Sequence, residues 1–374
     1  MKNSKFIYLI ALILIVIAGL LNDPSETQQS SVLSATSTTS SPFVVTQTPS
    51  TTQSWYELYF TEPGRYQADQ ITPLEQALLN HVDAARTSID VAYFEFDLEP
   101  LAEALIAAQR RGVKVRLVYD DEHSDHDPQT KEMVSAGISA IPDLRSAYMH
   151  NKFMIFDNDC VWTGSFNFTQ NATYKNNENA IYFCQKELTQ NYSQEFIELF
   201  VSQFGPNSPS DTPHPQVSFS NVMVENYFAP EDKVMDKVVA AVNSAQTSIH
   251  FMAFSFTDDT LGQTMLFRHL NKVDVQGIFE TRGANSSSSQ CPVLQDAGIS
   301  VYLDGNPATF HHKIIIIDTQ TVIFGSFNFS GNANRSNDEN LLIVHDPTLA
   351  QKFELEYQRR LSEAKISKDL CKSD

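Results

Sequence analysis

A pattern of six residue types that occurs twice constrains this chain more than any other feature of its sequence. The first copy is His-Asn-Lys-Phe-Met-Ile-Phe-Asp from residue 150, with Gly-Ser-Phe-Asn from residue 164 and a glutamate at 178. The second copy is His-His-Lys-Ile-Ile-Ile-Ile-Asp from residue 311, with Gly-Ser-Phe-Asn from residue 325 and a glutamate at 339. A single His-x-Lys is a weak signal, but two registers that agree position for position predict a duplicated unit.

The residues ahead of each copy follow the same order of elements. Apolar runs that are typical of buried strands alternate with segments of helical periodicity, and this rhythm predicts a parallel α/β sheet in each half. In the first half we expect strands at 88–96 and 113–119 around a helix at 101–111. In the second half we expect strands at 248–256 and 273–279 around a helix that begins at residue 261, after a helix at 234–245.

The N-terminus has the composition of a targeting segment. Lys2 and Lys5 precede an unbroken apolar run of about sixteen residues, between the core of a signal peptide and the roughly 20 residues that span a bilayer. A cleaved signal peptide and a retained membrane anchor both fit, and either predicts an exported protein, secreted or anchored. The domain prediction is residues 1–21 for this segment, 22–54 for a disordered Ser/Thr-rich stalk, 55–205 for domain 1, 206–216 for a Pro-rich linker and 217–374 for domain 2.

The repeated motif places chemically active side chains side by side. Alternate residues of a strand share a face, so His150 lies beside Lys152, and His311 lies beside Lys313. If the halves pack about a pseudo-twofold axis, both imidazoles and both ammonium groups converge on one pocket. Since lysines can neutralise a phosphate there, we expect no metal and no other cofactor.

Such a pocket suits the cleavage of a phosphodiester. One neutral imidazole can attack phosphorus and form a phosphohistidine, while the other protonates the leaving oxygen and then activates water. The lysines, with Asn167 and Asn328, would stabilise the charge on the phosphoryl oxygens. Glu178 and Glu339 would hold the imidazoles in the required tautomer.

The paired His-x-Lys-x4-Asp motifs with Gly-Ser-x-Asn behind them resemble the phospholipase D superfamily, over about residues 55–364. The resemblance implies an α/β fold, a duplicated α-β-α sandwich whose pseudo-twofold-related halves share an active site at their interface. It also implies a covalent phosphohistidine and no metal, and by analogy it favours His150 as the nucleophile and His311 as the acid, a choice that the sequence itself does not decide. Carried over by position, the catalytic set is His150, Lys152, Asn167, Glu178, His311, Lys313, Asn328 and Glu339, while Asp157, Asp318, Ser165 and Ser326 complete the motif with a structural role.

The net charge of the chain and its expected export both bear on the substrate class. The sequence of the Gly-Ser-Phe-Asn-Phe-Thr segment is similar to that of the small endonucleases and the cardiolipin-hydrolase-like members of the superfamily. A formal charge of −19 disfavours an extended basic surface for nucleic acid, and export disfavours a nuclease. We therefore expect a lipid phosphodiesterase that acts at a membrane surface, as a monomer with an internal pseudo-dimer. The alternatives are an endonuclease for DNA or RNA and a catalytically silent binding module.

Other features have less specific interpretations. The acidic segment 120–127 could bind a divalent cation, but a solvated loop is the more common structure of such a segment. His312 adjoins the catalytic histidine, yet strand alternation turns it to the opposite face. The Phe-rich segments 93–96 and 252–256 predict core, with Glu95 reaching the rim of the pocket.

The four cysteines are candidates for disulfides because the protein is expected to be exported. Three pairings are conceivable for Cys160, Cys184, Cys291 and Cys371. Cys160 opens one predicted strand of the first half and Cys184 ends another, whereas their counterparts in the second half are Thr321 and His345. A Cys160–Cys184 bridge is therefore preferred, which leaves Cys291 to pair with Cys371.

Overall fold

The computed structural model describes residues 54–367 and residue 371. The predicted targeting segment, 1–21, and all but the last residue of the predicted stalk lie outside the described residues. The described residues form one compact unit that contains both halves. Each half is built around one β-sheet.

The first half has a seven-stranded sheet in the order β1-β7-β6-β5-β2-β3-β4. Its strands are β1 (Tyr56–Phe60), β2 (Ser88–Tyr93), β3 (Lys114–Tyr119), β4 (Ser139–Pro142), β5 (Phe153–Phe156), β6 (Cys160–Gly164) and β7 (Asn179–Phe183). Its helices are α1 (Pro73–Ala84), α2 (Glu99–Arg110), α3 (Asp121–Ser124), α4 (Pro128–Ser135), α5 (Gln170–Tyr174) and α6 (Lys186–Phe200).

The second half repeats this arrangement in an eight-stranded sheet, in the order β12-β11-β10-β13-β14-β15-β9-β8. Its strands are β8 (Gln216–Phe219), β9 (Val222–Ala229), β10 (Ser248–Ala253), β11 (Asp274–Phe279), β12 (Ser300–Leu303), β13 (Lys313–Ile317), β14 (Thr321–Gly325) and β15 (Glu339–His345). Its helices are α7 (Val234–Asn243), α8 (Asp259–Leu270), α9 (Thr281–Ala284), α10 (Gln290–Asp296), α11 (Gly331–Arg335) and α12 (Pro347–Ser367).

Both sheets are mixed, so the prediction of a parallel sheet was wrong for part of each half. β2, β3 and β4 are parallel, as the strand–helix–strand order predicted, whereas β5 runs antiparallel to β2 and continues through β6 and β7 as a meander. The predicted strand 88–96 also ends early, at Tyr93, because Phe96 leaves the sheet and forms a bridge with Phe168. The same occurs in the second half, where Phe256 bridges Phe329.

A core shared by both halves holds the two sheets together. It contains apolar side chains of both sheets and of helices α6 and α12, among them Tyr192, Phe196, Phe353 and Tyr357. Two further clusters lie on the outer faces, one with α1 and α2 of the first half and one with α7 and α8 of the second. Burying this much apolar surface favours a fixed arrangement of the halves, which the site between them requires.

The predicted linker is an ordered connection whose polar groups are bonded to both halves. It starts in a short 3-10 turn, Gly205–Asn207, and ends at the first residue of β8. The hydroxyl groups of Ser210 and Thr212 donate hydrogen bonds to Asp232, and the Asn191 amide donates to the carbonyl oxygen of His214.

Two disulfides join Cys160 to Cys184 and Cys291 to Cys371, which is the pairing that the sequence favoured. The first links β6 to the residue after β7. The second ties the C-terminal end of the described chain to α10. Among the helices that the structure describes, none has the length and apolar character needed to cross a membrane.

Candidate active site

The two histidine motifs meet where the halves contact each other. His150 and His311 lie just before β5 and β13, and each is held by the backbone of the other half. The backbone N–H of His150 donates to the carbonyl oxygen of Asp338 at 2.9 Å, and that of His311 donates to the carbonyl oxygen of Asn177 at 3.0 Å. The pseudo-twofold convergence expected from the sequence is therefore present.

A cavity of about 760 Å³ opens beside these histidines. Both imidazoles line it, together with the side chains of Asn167 and Asn328. Most of the remaining wall comes from the second half. Four serines contribute to it: Ser286, Ser288, Ser289 and Ser330. A single cavity thus brings together one imidazole and one amide from each half.

The lysines of the two motifs are buried beneath the histidines. The Nζ atoms of Lys152 and Lys313 donate hydrogen bonds to the carbonyl oxygens of His150 and His311, at 2.6 and 2.8 Å. Burial is the largest cause of a lowered pKa, to about 8 for Lys152 and about 7 for Lys313. An anion in the cavity would favour the charged form of both lysines.

A carboxylate from the opposite half orients each imidazole. The Nδ1 atom of His150 lies 2.7 Å from Glu339 Oε2, and the Nδ1 atom of His311 lies 2.9 Å from Glu178 Oε2. The sequence grouped His150 with Glu178 because both belong to the first motif, but the contacts cross the interface. With Nδ1 engaged by a carboxylate, Nε2 is the ring nitrogen left to react.

The serine of each Gly-Ser-x-Asn segment positions these glutamates. Ser165 Oγ donates to Glu178 Oε2 at 2.7 Å and accepts a hydrogen bond from the backbone N–H of Asn179 at 3.0 Å. Ser326 makes the equivalent bond to Glu339 at 2.8 Å. The structural role expected for both serines fits these contacts.

Only glycine fits at the position before each serine, because the neighbouring strand lies too close for a side chain. Gly164 and Gly325 have φ angles of +146° and +157°, and a Cβ atom at either position would overlap the carbonyl oxygen of Asn179 or Asn340 on the neighbouring strand. These strands therefore approach closely enough for the serine to reach the glutamate, which directly precedes β7 in the first half and begins β15 in the second.

Burial determines the protonation of the site. The pKa of His150 and of His311 lies well below the ordinary value, first because burial disfavours the charged ring and then because the nearby lysines repel it. Burial also raises the pKa of Glu178 to about 7 and that of Glu339 to about 8. Burial thus opposes charge on the histidines and glutamates of the site, and a bound anion would favour the protonated form of the histidines.

The aspartates that end the motifs lie away from the cavity. Asp157 accepts hydrogen bonds from the backbone N–H groups of Arg86, Thr87 and Ser88, which immediately precede or begin β2. Partial burial raises the pKa of Asp157, but the hydrogen bonds together lower it by more, so the net shift is downward. Asp318 accepts the corresponding bonds from residues 246–248. These contacts match the structural role that their position suggested.

Two phenylalanines of the cavity were assigned only to the core by the sequence. The ring centroids of Phe94 and Phe254 lie 4.7 and 4.8 Å from those of His150 and His311. Each ring also lies within 5 Å of a motif lysine, at 4.9 Å for the first and 4.7 Å for the second. Their equivalent positions after β2 and β10 were the signal that could have placed them at the site.

The acidic segment after β3 does not form a cation site in the described residues, which hold no group of three or more His, Cys, Asp or Glu suited to a metal. Instead, buried Asp120 bonds to the ring Nδ1 of His123 at 2.8 Å, and it accepts the backbone N–H of Met149. His123 lines the cavity, a position that the sequence did not predict. His312 is fully buried and bonds to Asn179, behind the site.

Comparison with known proteins agrees with this geometry. The family model described as cardiolipin synthase, PLD-like domain, matches residues 78–200 and 238–361. The chain belongs to this family. The two matched segments correspond to the two halves, and each contains one histidine motif.

Individual relatives cover one half or the whole fold. A mitochondrial cardiolipin hydrolase from Xenopus tropicalis is 31% identical over 165 residues, which is 40% of this chain and 78% of the relative. A phospholipase D from Rickettsia bellii is 29% identical over 150 residues, or 38% and 75% of the two chains. The solved phosphatidylserine synthase from Haemophilus influenzae has the same fold, with a TM-score of 0.59, 14% identity and coverage of 80% and 87%. The chain is a phospholipase D-type phosphodiesterase.

Proposed function

We propose that the protein hydrolyses the phosphodiester bond of a phospholipid head group through a phosphohistidine intermediate. The observation that carries the proposal is the pair of imidazoles in one cavity, each held at Nδ1 by a carboxylate of the opposite half. This arrangement leaves two Nε2 atoms free for different roles at one phosphorus atom.

In the first step, Nε2 of His150 attacks phosphorus and the bond to the leaving alcohol breaks. The leaving oxygen takes its proton from Nε2 of His311. In the second step, His311 removes a proton from water, the water oxygen bonds to phosphorus, and the bond to His150 breaks. The two lysines and the amides of Asn167 and Asn328 stabilise the phosphoryl oxygens, and one such donor typically contributes roughly 3–4 kcal/mol.

The substrate supplies the charge that this cycle needs. Burial and the lysines keep both imidazoles neutral in the free protein. A bound phosphodiester carries a negative charge, and a nearby opposite charge favours the protonated form of His311. His150 must stay neutral at the same time, so the pKa values of the two rings separate when substrate binds.

A phospholipid fits the protein better than a nucleic acid does. The formal charge of −19 opposes long-range attraction of a polyanion. The hydroxyl-bearing wall of the cavity can bond to a polar head group, and exposed Tyr148 and buried Phe94 add an apolar surface at its edge. The relative from Xenopus tropicalis bears the name cardiolipin hydrolase. We further propose that the N-terminal segment exports the protein and brings the cavity to a membrane surface.

A panel assay tests the substrate class. Purified protein without added metal is supplied with phosphatidylcholine, phosphatidylglycerol, cardiolipin and single-stranded DNA, and His150→Ala protein serves as the matched control. We expect release of a lipid head group by the wild type alone. Cleavage of DNA without cleavage of any lipid would replace the proposed function with that of a nuclease.

A further inference from the structure

The wall of the cavity differs between its two histidines. Three pairs of positions that correspond in the two halves carry large side chains near His150 and small ones near His311. The large residues that line the cavity in the first half are Glu95, His123 and Tyr148. Their counterparts, which also line it, are Ser255, Gly283 and Thr309. The two sides of the cavity therefore cannot hold groups of the same size.

The helices that carry His123 and Gly283 show that these two positions correspond. His123 lies three residues after Asp120, in α3, and Gly283 lies three residues after Glu280, in α9. Each acidic side chain accepts the backbone N–H of the residue just before the motif histidine of its half. A Cβ atom on Gly283 would meet no other segment of the chain nearer than the carbonyl oxygen of Phe254, at 4.0 Å. The space that a ring occupies in the first half is thus open in the second.

The large side chains of the first half are held by mutual contacts. The ring centroid of His123 lies 4.2 Å from that of Phe94 and 4.9 Å from that of Tyr148. Glu95 accepts a hydrogen bond from Asn167 Nδ2 at 2.8 Å. These contacts fill the first half's side of the cavity.

The open side of the cavity, which we call the wide lobe, is rich in hydroxyl groups. Its residues are Ser255, Gly283, Ser286, Ser288, Ser289 and Thr309. All of them except the glycine carry a hydroxyl group, which can both donate and accept a hydrogen bond. Arg282 also lines the cavity, and its Nη2 atom donates to the carbonyl oxygen of Ala308 at 2.8 Å. The wide lobe therefore suits a ligand that itself both donates and accepts hydrogen bonds.

The position of the wide lobe indicates which part of the substrate enters it. In the proposed mechanism His150 attacks phosphorus from one side, and the leaving oxygen departs roughly in line on the other, next to His311. The wide lobe lies on the side of His311. The group attached to the leaving oxygen is the head-group alcohol.

We propose that the wide lobe is the subsite for the leaving alcohol and that it takes an uncharged polyol head group, such as glycerol or inositol. The inference rests on the proposed function, which it deepens by naming the class of head group. The hydroxyl groups of a polyol can pair with those of the lobe, so that neither set is left unbonded when water is displaced.

A cationic head group such as choline fits the wide lobe less well. Of the described second-half residues that line the cavity, Glu280 alone carries a carboxylate. That carboxylate is 3% exposed and accepts a hydrogen bond from Arg282 Nε at 2.7 Å. A quaternary ammonium in the lobe would therefore have no free anion to pair with and would lie near a second cation.

The variant Gly283→Leu tests the lobe by filling it. The substrates are phosphatidylglycerol and phosphatidylmethanol, which share the same diacylglycerol part and differ only in the size of the head group. We expect the ratio of kcat/KM for phosphatidylglycerol to that for phosphatidylmethanol to fall by at least about tenfold, because the new side chain takes the space of the glycerol. Gly283→Ala, a smaller change, should lower the ratio less. An unchanged ratio in an active, folded Gly283→Leu protein would overturn the inference.

The matched control places the same side chain on the other side of the cavity. His123→Leu should leave the ratio at its wild-type value, whatever it does to the activity itself. A fall in the ratio in His123→Leu, with none in Gly283→Leu, would place the head group beside His150 and refute the assignment. Wild-type protein should also prefer phosphatidylglycerol to phosphatidylcholine, and the opposite preference would refute the polyol class.

Removal of hydroxyl groups tests the chemistry of the lobe without filling it. Ser286 Oγ and Ser288 Oγ lie 3.4 Å apart, whereas Ser289 Oγ accepts the backbone N–H of Cys291 at the start of α10 and is left in place. The double variant Ser286→Ala with Ser288→Ala should lower the same ratio by about fivefold. A ratio that stays at the wild-type value would show that these hydroxyl groups do not contact the head group.

Binding gives a readout that does not need turnover. Calorimetry with soluble dihexanoyl forms of the two lipids, in the His150→Ala background, compares their dissociation constants with and without Gly283→Leu. We expect Gly283→Leu to weaken phosphatidylglycerol by at least about tenfold relative to phosphatidylmethanol. Equal effects on both lipids would refute the inference even if wild-type protein hydrolyses them. The expected difference in binding, with no lipid hydrolysed by the wild type, would refute the proposed function and leave the polyol subsite standing.

Discussion

Replacing Glu339 by glutamine should disable the histidine of the other half. In the proposed mechanism, His150 Nε2 forms a bond to phosphorus, and its ring then carries a positive charge with a proton on Nδ1. Glu339 is 2.7 Å away and fully buried, and that positive charge favours its carboxylate form, which would stabilise the ring. Glutamine either keeps the bond without the charge or offers its N–H₂ to Nδ1, which moves the ring proton to Nε2 and blocks attack.

The size of the effect follows from the burial of both partners. No water can replace the carboxylate, since Glu339 has no exposed surface and His150 is only 4% exposed. The loss of the corresponding carboxylate in a hydrolytic triad costs about 10⁴ in rate, equivalent to roughly 5.5 kcal/mol. We expect Glu339→Gln to slow formation of the phosphoenzyme by ~10²–10⁴-fold.

The matched variant is Glu178→Gln, which should act on His311 instead. A phosphatidyl ester of 4-nitrophenol needs no proton for its leaving group, so Glu178→Gln should still release a rapid burst of 4-nitrophenol and then turn over slowly. Glu339→Gln should give no burst. The opposite pattern would contradict the pairing across the interface or the assignment of the nucleophile, and equal bursts would contradict the distinct roles of the two carboxylates.

Three further results are expected. Activity should persist in excess EDTA, because in the proposed mechanism lysines rather than a cation offset the phosphate charge. Complete loss that Mg²⁺ or Zn²⁺ restores would contradict that mechanism. Non-reducing peptide mapping of protein purified from its own host should recover a Cys160–Cys184 peptide rather than two free thiols. Asp157→Asn should lower the free energy of unfolding by about 1–3 kcal/mol near pH 7. Because the folded-state pKa of Asp157 is lowered, the difference in free energy of unfolding between wild type and variant should shrink as the pH falls through that pKa. The same difference at pH 7 and at strongly acid pH would contradict a stabilising role of the charged carboxylate.

The motif spacing predicted much of the fold and the convergence of the site. Two identical registers required two equivalent strands, and the chemistry of His150 and His311 made sense only if both faced one phosphate. The run of apolar residues in β13 marked it as buried, and all of its residues are buried. The family match then follows the same two segments.

The contacts across the interface could not be read from the sequence. Glu178 lies 28 residues after His150 in the chain, and spacing alone gives no reason to pair it with His311 instead. The direction of β5 was missed for a similar reason, because an apolar run predicts a strand but not its orientation. His123 was not predicted at the site, because an acidic loop after a strand is usually solvated. In this structure Asp120 is buried and bonds to the imidazole of His123.

The central claim is that His150 alone carries the phosphoryl group, and intact-mass measurement tests it most directly. Wild-type, His150→Ala and His311→Ala proteins are mixed with the 4-nitrophenyl ester and quenched rapidly without acid. The added phosphatidyl mass should be found in His311→Ala and be absent from His150→Ala. Its presence in His150→Ala but not in His311→Ala would reverse the roles, and its absence from both folded variants and from the wild type would contradict covalent catalysis.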